Sequence, residues 1–274
     1  MKVVNHGVLT DSRVRLIVED GRNFLLTTTE TFDVILSDSI HPRYSGNGSL
    51  YTLDYYQLCA QRLNPGGIVS MWLPMYGLTT RNYRMILRSF QSVFPHTIIW
   101  YVNSTLNSYT VVMGSREPAQ IDMSRLAAQL TGPVLADLVV IRAHDPERIL
   151  DYFITADDGV AKLAGDVPFH IDDRPAVEYE SAKILERHAT VFNNLRQVAL
   201  ARETPFRYLT GRYNRERLER FYEATTHSLL AQGLQLLGKT ADAREEYLQS
   251  VAINPEDLEP VDFLSWLPSR ETLK

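Results

Sequence analysis

The sequence predicts an α/β fold: a mainly parallel sheet covered by helices, followed by an α-helical carboxy-terminal region. Three observations carry that expectation. Residues 32–37 (FDVILS) and 68–74 (IVSMWLP) are short, near-continuous apolar runs, the pattern of strands covered on both faces. These runs alternate with helical patterns in the order β-α-β-α-β-α-β-β, and alternation argues for parallel strands joined by crossover helices. After Ser115 the apolar runs fade, and from Ala182 onward nearly everything is helical. A boundary near residue 180 therefore divides the chain into 1–180, holding the sheet, and 181–274, holding helices.

Taken in order, Val14–Glu19 is rich in β-branched residues and predicts a first strand ended by Asp20-Gly21. A short helix follows, with Phe24, Leu25 and Leu26 facing inward. After the run at 32–37, the segment 38–52 holds Pro42, Gly46 and Gly48 and predicts a long loop. Leu53–Leu63 forms a helix, and Asn-Pro-Gly-Gly at 64–67 stops it and turns the chain into the next strand. Thr79 and Thr80 cap a helix that Pro95 closes. Residues 97–103 and 108–115 predict an antiparallel hairpin that places one antiparallel strand at or near a sheet edge. Residues 122–165 are expected to be helical and irregular, and 167–180 to bring a short extended segment. Near the end, Ala231, Gly238, Ala243, Tyr247 and Pro255 match the spacing of one tetratricopeptide repeat. Small residues let two helices pack closely, the glycine turns the chain and the proline ends the second helix. Ser250 departs from the small apolar residue usual at its place. One such unit cannot bury both faces, so it should pack on other helices.

Composition removes several function classes. A net charge of -5 on 274 residues argues against a generic nucleic-acid binder. The basic run Arg207, Arg212, Arg215, Arg217, Arg220 is interleaved with Glu216 and Glu219 and reads as a solvated helix face. The single cysteine, Cys59, has apolar neighbours at helical spacing and reads as a buried structural thiol, which fits a reducing, cytoplasmic setting. No metal site is expected, because His6, His96, His144, His170, His188 and His227 are scattered and have no cysteine partner. No run is long enough to span a bilayer, and the first residues carry no cleavable leader pattern. Ser37, Ser39 and Ser49 lack the Gly-x-Ser-x-Gly context of a hydrolase elbow. Asp172-Asp173-Arg174 predicts a turn with a local ion pair, and Trp72 and Trp100 are expected in the core or at a pocket edge.

Two acidic residues stand where chemistry is expected. Asp20 follows the first predicted strand, and Asp38 the second. Open α/β sheets bind ligands beyond the carboxyl ends of their strands. Carboxylates there can accept hydrogen bonds from an adenine amino group, a ribose hydroxyl or an ammonium. Each alone is an ordinary turn residue; the pair, followed by a glycine- and tyrosine-containing loop, points to a site.

The succession RVRLIVEDGRNFL, FDVILSDSIHP, GNGSLYTLDYYQLCAQRLNPGGI and SFQSVFPHTIIWYV resembles the spermidine synthase (polyamine aminopropyltransferase) family over about residues 12–115. It is most similar to bacterial spermidine-synthase-like domains fused to membrane segments, as are the DDRPAVEY segment and the tetratricopeptide-like unit. The resemblance implies a methyltransferase-like (Rossmann-type) sheet and aminopropyl transfer to an amine acceptor. It implies decarboxylated S-adenosylmethionine, or S-adenosylmethionine, as cosubstrate and no metal. Asp20 with Gly21 matches the position that contacts the donor's adenine. Asp38 matches the first aspartate of the family's Asp-Ser-x-Asp-Pro loop, facing the transferred group and the amine. Tyr51 falls in the stretch after that loop, as packing or as a wall of the substrate pocket.

At the loop's second aspartate this sequence has His41. Displacement at carbon by an amine needs a group to hold or take a proton. A histidine can do so near neutral pH, but it offers no fixed negative charge to a polycation. His41 is therefore a catalytic candidate, or simply a loop residue beside Pro42. The family's Gly-rich loop lies upstream of the first strand, and no such loop occurs here, so an amino-terminally truncated site is expected. Three readings follow: a transferase with a small-molecule amine acceptor, a non-catalytic scaffold binding a protein partner through its carboxy-terminal helices, or a partial sheet whose open edge favours a homodimer.

Overall fold

The computed structural model describes residues 7–184 and 186–267; His6 lies outside them. The strands are β1 (Phe32–Ser37), β2 (Leu63–Pro74), β3 (His96–Trp100), β4 (Tyr109–Ser115), β5 (Ile121–Asp122), β6 (Phe153–Ala156) and β7 (Leu209–Thr210). The helices of the first part are α1 (Gly21–Thr27), α2 (Leu53–Gln61), α3 (Thr80–Val93), α4 (Met123–Gln129), α5 (Gly132–Val140), α6 (Pro146–Leu150), α7 (Asp158–Ala164) and α8 (Ala176–Ser181). The remainder are α9 (Arg187–Leu200), α10 (Arg215–Leu236), α11 (Thr240–Ile253) and α12 (Glu259–Trp266).

The main sheet has the order β1-β2-β4-β3-β6. β1 and β2 pair in parallel, whereas β2–β4, β4–β3 and β3–β6 pair antiparallel. Thus β1, β2 and β3 share one direction, as the alternating pattern predicts. The returning strand β4 is not at the edge where the hairpin pattern put it; it lies between β2 and β3. Helix α3 packs tightly over it there. A Cβ at Gly114 would sit 2.5 Å from the Phe90 ring and 2.7 Å from Phe94 Cβ, so only glycine allows that approach.

Five local expectations are corrected. Val14–Glu19 is not a strand; Leu16 and Val18 are exposed. Strand propensity expresses packing against neighbours, and among the described residues this segment has no ladder partner. Within α1 only Leu25 is buried, while Leu26 points outward. The Asn64–Gly67 turn lies inside β2 as a bulge: Phe32 faces Leu63 and Val34 already faces Ile68, so the extra residues loop out of the ladder. Gly66 has φ +73° there, and a Cβ on Gly67 would crowd the Asn64 carbonyl at 2.9 Å. In the region expected to be helical and irregular, Phe153–Ala156 instead forms the fully buried strand β6. The segment after Asp166 is a turn leading into α8 rather than an extended run.

The largest core unites Met71, Leu73, Ile86, Phe90 and Ile99 with Leu195, Val198, Ala199 and Leu229. Apolar packing therefore runs across position 180. In the helical part, Ala231, Ala243 and Tyr247 are buried together with Phe263, and Gly238 turns α10 into α11 with φ +73°. No helix among the described residues is long and apolar enough to cross a membrane.

Candidate functional site

Asp20 is the N-cap of α1, its Oδ1 accepting the Asn23 N–H at 2.9 Å. This satisfies one of the unpaired amides at the helix start and fixes the carboxylate at the beginning of that turn. Gly21 opens the helix, and a Cβ there would meet nothing of the protein within 4 Å. Asp38 follows β1 directly and is exposed. Both carboxylates thus stand free of the core, each at a fixed point of the backbone.

The loop from Asp38 to Thr52 is tied to α1. Arg22, two residues beyond Asp20, donates from Nη1 to the Ser49 carbonyl at 2.7 Å. At the loop's end Tyr51 is fully buried and its hydroxyl reaches toward the Ser39 carbonyl at 3.5 Å. Burial raises the Tyr51 pKa well above the usual phenol range, and the neighbouring Asp38 charge adds to it. Tyr51 is thus a packed wall of the loop, held protonated.

Further anchors come from far along the chain. Asp172 pairs with Arg22 through both oxygens, one contact at 3.0 Å, and accepts from Thr52 Oγ1 at 2.8 Å. Its backbone N–H donates to Asp54 at 3.0 Å. The Arg22 guanidinium holds the Asp172 carboxyl below its ordinary range. His170 is buried and donates from Nε2 to the Gly48 carbonyl at 3.2 Å. Glu178 of α8 accepts the Gly46 N–H at 3.1 Å. The Asp172-Asp173-Arg174 stretch does turn, as an Ile171–Arg174 bridge shows, but its ion pair is with Arg22 and not local. Sequence offered no signal for this partner, since the two are 150 positions apart.

His41 is 4% exposed and both ring nitrogens are engaged. Nδ1 accepts the Arg43 N–H at 3.0 Å, and Nε2 lies 2.7 Å from the Tyr76 carbonyl. A carbonyl only accepts, so Nε2 carries the proton. In this geometry no lone pair remains to take a proton from an amine. His41 instead ties the Asp38 loop to the segment after β2, its ring packed against Tyr76 with centroids 4.7 Å apart. Trp72 joins the same aromatic group at 6.3 Å from His41, and Trp100 packs edge-on against Phe153.

Helix α9 closes this end of the sheet. Asn194 Nδ2 donates to the carbonyls of Met75 and Leu78, at 2.8 and 2.9 Å, and Thr190 Oγ1 accepts the Gly77 N–H at 2.9 Å. Gly77 has φ +65°, and a Cβ there would meet His41 Nε2 at 3.3 Å. Cys59 is buried, and burial pushes its thiol up to about 12, so it stays protonated and inert. Among the described residues no group of three or more metal-ligating side chains converges.

Residues 1–124 match the family model described as the spermine/spermidine synthase domain. Curated relatives include polyamine aminopropyltransferases of Klebsiella pneumoniae, 48% identical over 64 residues (23% of this chain, 22% of the relative), and of Sodalis glossinidius, 32% identical over 140 residues (46% and 45%). The chain spans less than half the length of these relatives. A solved probable spermidine synthase from Corynebacterium glutamicum aligns with a TM-score of 0.41 at 19% identity, covering 58% of this chain and 55% of that one.

Proposed function

We propose, from the match of residues 1–124 to the spermine/spermidine synthase domain, that this chain carries part of an aminopropyl-transfer site. The cosubstrate is an S-adenosyl-type sulfonium, decarboxylated S-adenosylmethionine first, and the acceptor is a small amine. Asp20 and the open space at Gly21 receive the adenine side of the donor. Asp38 faces the transferred carbon and the incoming nitrogen. The observation that supports this most is that both carboxylates are exposed, and that α1, which Asp20 caps, is tied through Arg22 to Ser49 of the loop that Asp38 begins.

The chemistry follows from that placement. The amine nitrogen forms a C–N bond as the C–S bond breaks, and the electron pair leaves on sulfur as a neutral thioether. A carboxylate beside the reacting carbon favours the cationic ground state of the donor and the ammonium that forms. His41 holds the loop in register. The α10–α11 hairpin, with the spacing of a tetratricopeptide repeat, serves in this reading as a support packed on the sheet domain.

The test is product formation. Full-length protein is incubated with decarboxylated S-adenosylmethionine and a panel of amines, and methylthioadenosine is quantified with the aminopropylated product. We expect turnover that falls about 100-fold in Asp38→Asn. Turnover equal in the wild type and Asp38→Asn, or methyl transfer from S-adenosylmethionine alone, would overturn the proposal.

A further inference from the structure

We infer that the turn at residues 170–174 is a clasp for the donor side of the site, with Asp172 as its positioning residue. Asp172 fixes the first turn of α1 against the far end of the Asp38–Thr52 loop. The inference rests on the donor reading above and adds to it a group that acts on Asp20 and Gly21 through Arg22.

Asp172 reaches three segments at once. Toward α1, both its oxygens take the Arg22 guanidinium, Oδ1 at 3.0 Å, while the same Nη1 also serves the Ser49 carbonyl at 2.7 Å. A planar fork can serve two acceptors in fixed directions, which the point charge of a lysine cannot. Toward the loop end, Asp172 Oδ1 accepts from Thr52 Oγ1 at 2.8 Å, and Thr52 caps α2 by accepting the Tyr55 N–H at 3.3 Å. Toward α2, the Asp172 N–H donates to Asp54 Oδ2 at 3.0 Å.

The turn is itself anchored. The fully buried His170 donates its N–H to Ser89 Oγ of α3 at 2.8 Å, and its carbonyl accepts the Leu53 N–H at 2.8 Å. Its ring holds the Gly48 carbonyl at 3.2 Å. A Cβ at Gly48 would lie 3.1 Å from Glu178 Oε2 and 3.4 Å from the Pro42 carbonyl, so the loop and α8 leave no spare room between them. Residues 170–178 lie beyond the matched residues 1–124. A later part of the chain therefore sets the spacing of two segments in the matched part.

The arrangement suits positioning better than stabilisation. The Arg22 and Asp172 side chains are 24% and 36% exposed, and ion pairs this open to water add little to stability. What the pair fixes is the turn that begins at Asp20. Asp20, Gly21 and Arg22 are consecutive, and the Asp20 carboxylate is already held by the Asn23 N–H. A shift of this turn carries that carboxylate with it, and a displacement of about 1 Å at a binding group can cost about 100-fold.

Two measurements on the full-length protein test this. Hydrogen exchange needs no donor: in Asp172→Asn, peptides 20–27 and 44–56 are expected to exchange about fivefold faster or more, with 109–115 unchanged. Equal exchange in the two proteins would refute the clasp. Calorimetry with decarboxylated S-adenosylmethionine then reads the positioning. We expect affinity to fall about tenfold in Asp172→Asn and in Arg22→Lys, and by less than about twofold in Asp173→Asn. At saturating donor, kcat in Asp172→Asn is expected within about twofold of the unaltered protein. Unchanged affinity in Asp172→Asn, an equal loss in Asp173→Asn, or a tenfold fall of kcat at saturation would overturn the role of Asp172. Faster exchange in the variant, with no donor binding by the unaltered protein, would sink the donor reading and leave the clasp standing.

Discussion

His41 and His170 are both buried, and each is held by backbone carbonyls rather than by carboxylates. Burial lowers the His170 pKa from its ordinary 6.5, because the charged ring is penalised away from water. The unfolded chain then binds more protons than the folded one below that value. His170 therefore contributes no loss above about pH 6.5, and stability falls as pH drops below it. The expected outcome is a denaturation midpoint that declines between about pH 7 and about pH 5, with part of the decline removed in His170→Gln. A midpoint with the same pH dependence in both proteins would count against it. At this scale Asp38 was legible as the residue that ends β1, whereas Asp20 caps α1 and follows no strand. The tautomer of His41 was not legible, because it depends on the Tyr76 carbonyl, distant in sequence.

Among elements, α9 braces the segment after β2. Asn194 is fully buried and is the donor for two carbonyls of the segment after β2. Replacing it by alanine leaves both acceptors without that partner in a dry place. We expect Asn194→Ala to cost about 2–3 kcal/mol, from the desolvation penalty of unsatisfied buried groups, read as a lower urea midpoint at unchanged m. A change below about 0.5 kcal/mol would show that the clamp carries no load. Sequence patterns found β1, β2, α2, α3 and the paired β3 and β4, because each is long or bounded by strong turn residues, but not the place of β4 between β2 and β3. They failed where partners decide: 14–19 has strand composition and no ladder, and the four residues of β6 are too few to show a period. The Asn64–Gly67 turn was legible as a turn, but its place as a bulge inside β2 depends on the register with β1.

For the whole molecule, the sheet and the helices are one packed body in their core. Leu195, Val198 and Ala199 sit with Met71 and Phe90, and a buried ion cluster reinforces the join. Asp151 pairs with Arg148 at 2.8 Å and with Arg202 at 2.5 Å, and accepts from Thr225 of α10 at 2.7 Å. Removing either arginine would leave a buried carboxylate poorly compensated. A boundary read from the change in pattern near 180 marks a change in element type and not a division of the core. At the opposite end, β1 is an edge strand with Val34 and Leu36 exposed. The chain spans less than half of the curated relatives it matches. The central claim therefore concerns the part that is present: that Asp20 and Asp38 meet one S-adenosyl donor. Calorimetric titration of decarboxylated S-adenosylmethionine into the full-length protein and into Asp38→Asn tests it most directly. The account predicts saturable binding at one site, weakened about tenfold or more in the variant, as for the loss of a charge-assisted contact. Equal affinity in the two proteins, or no heat of binding in the unaltered one, would contradict it.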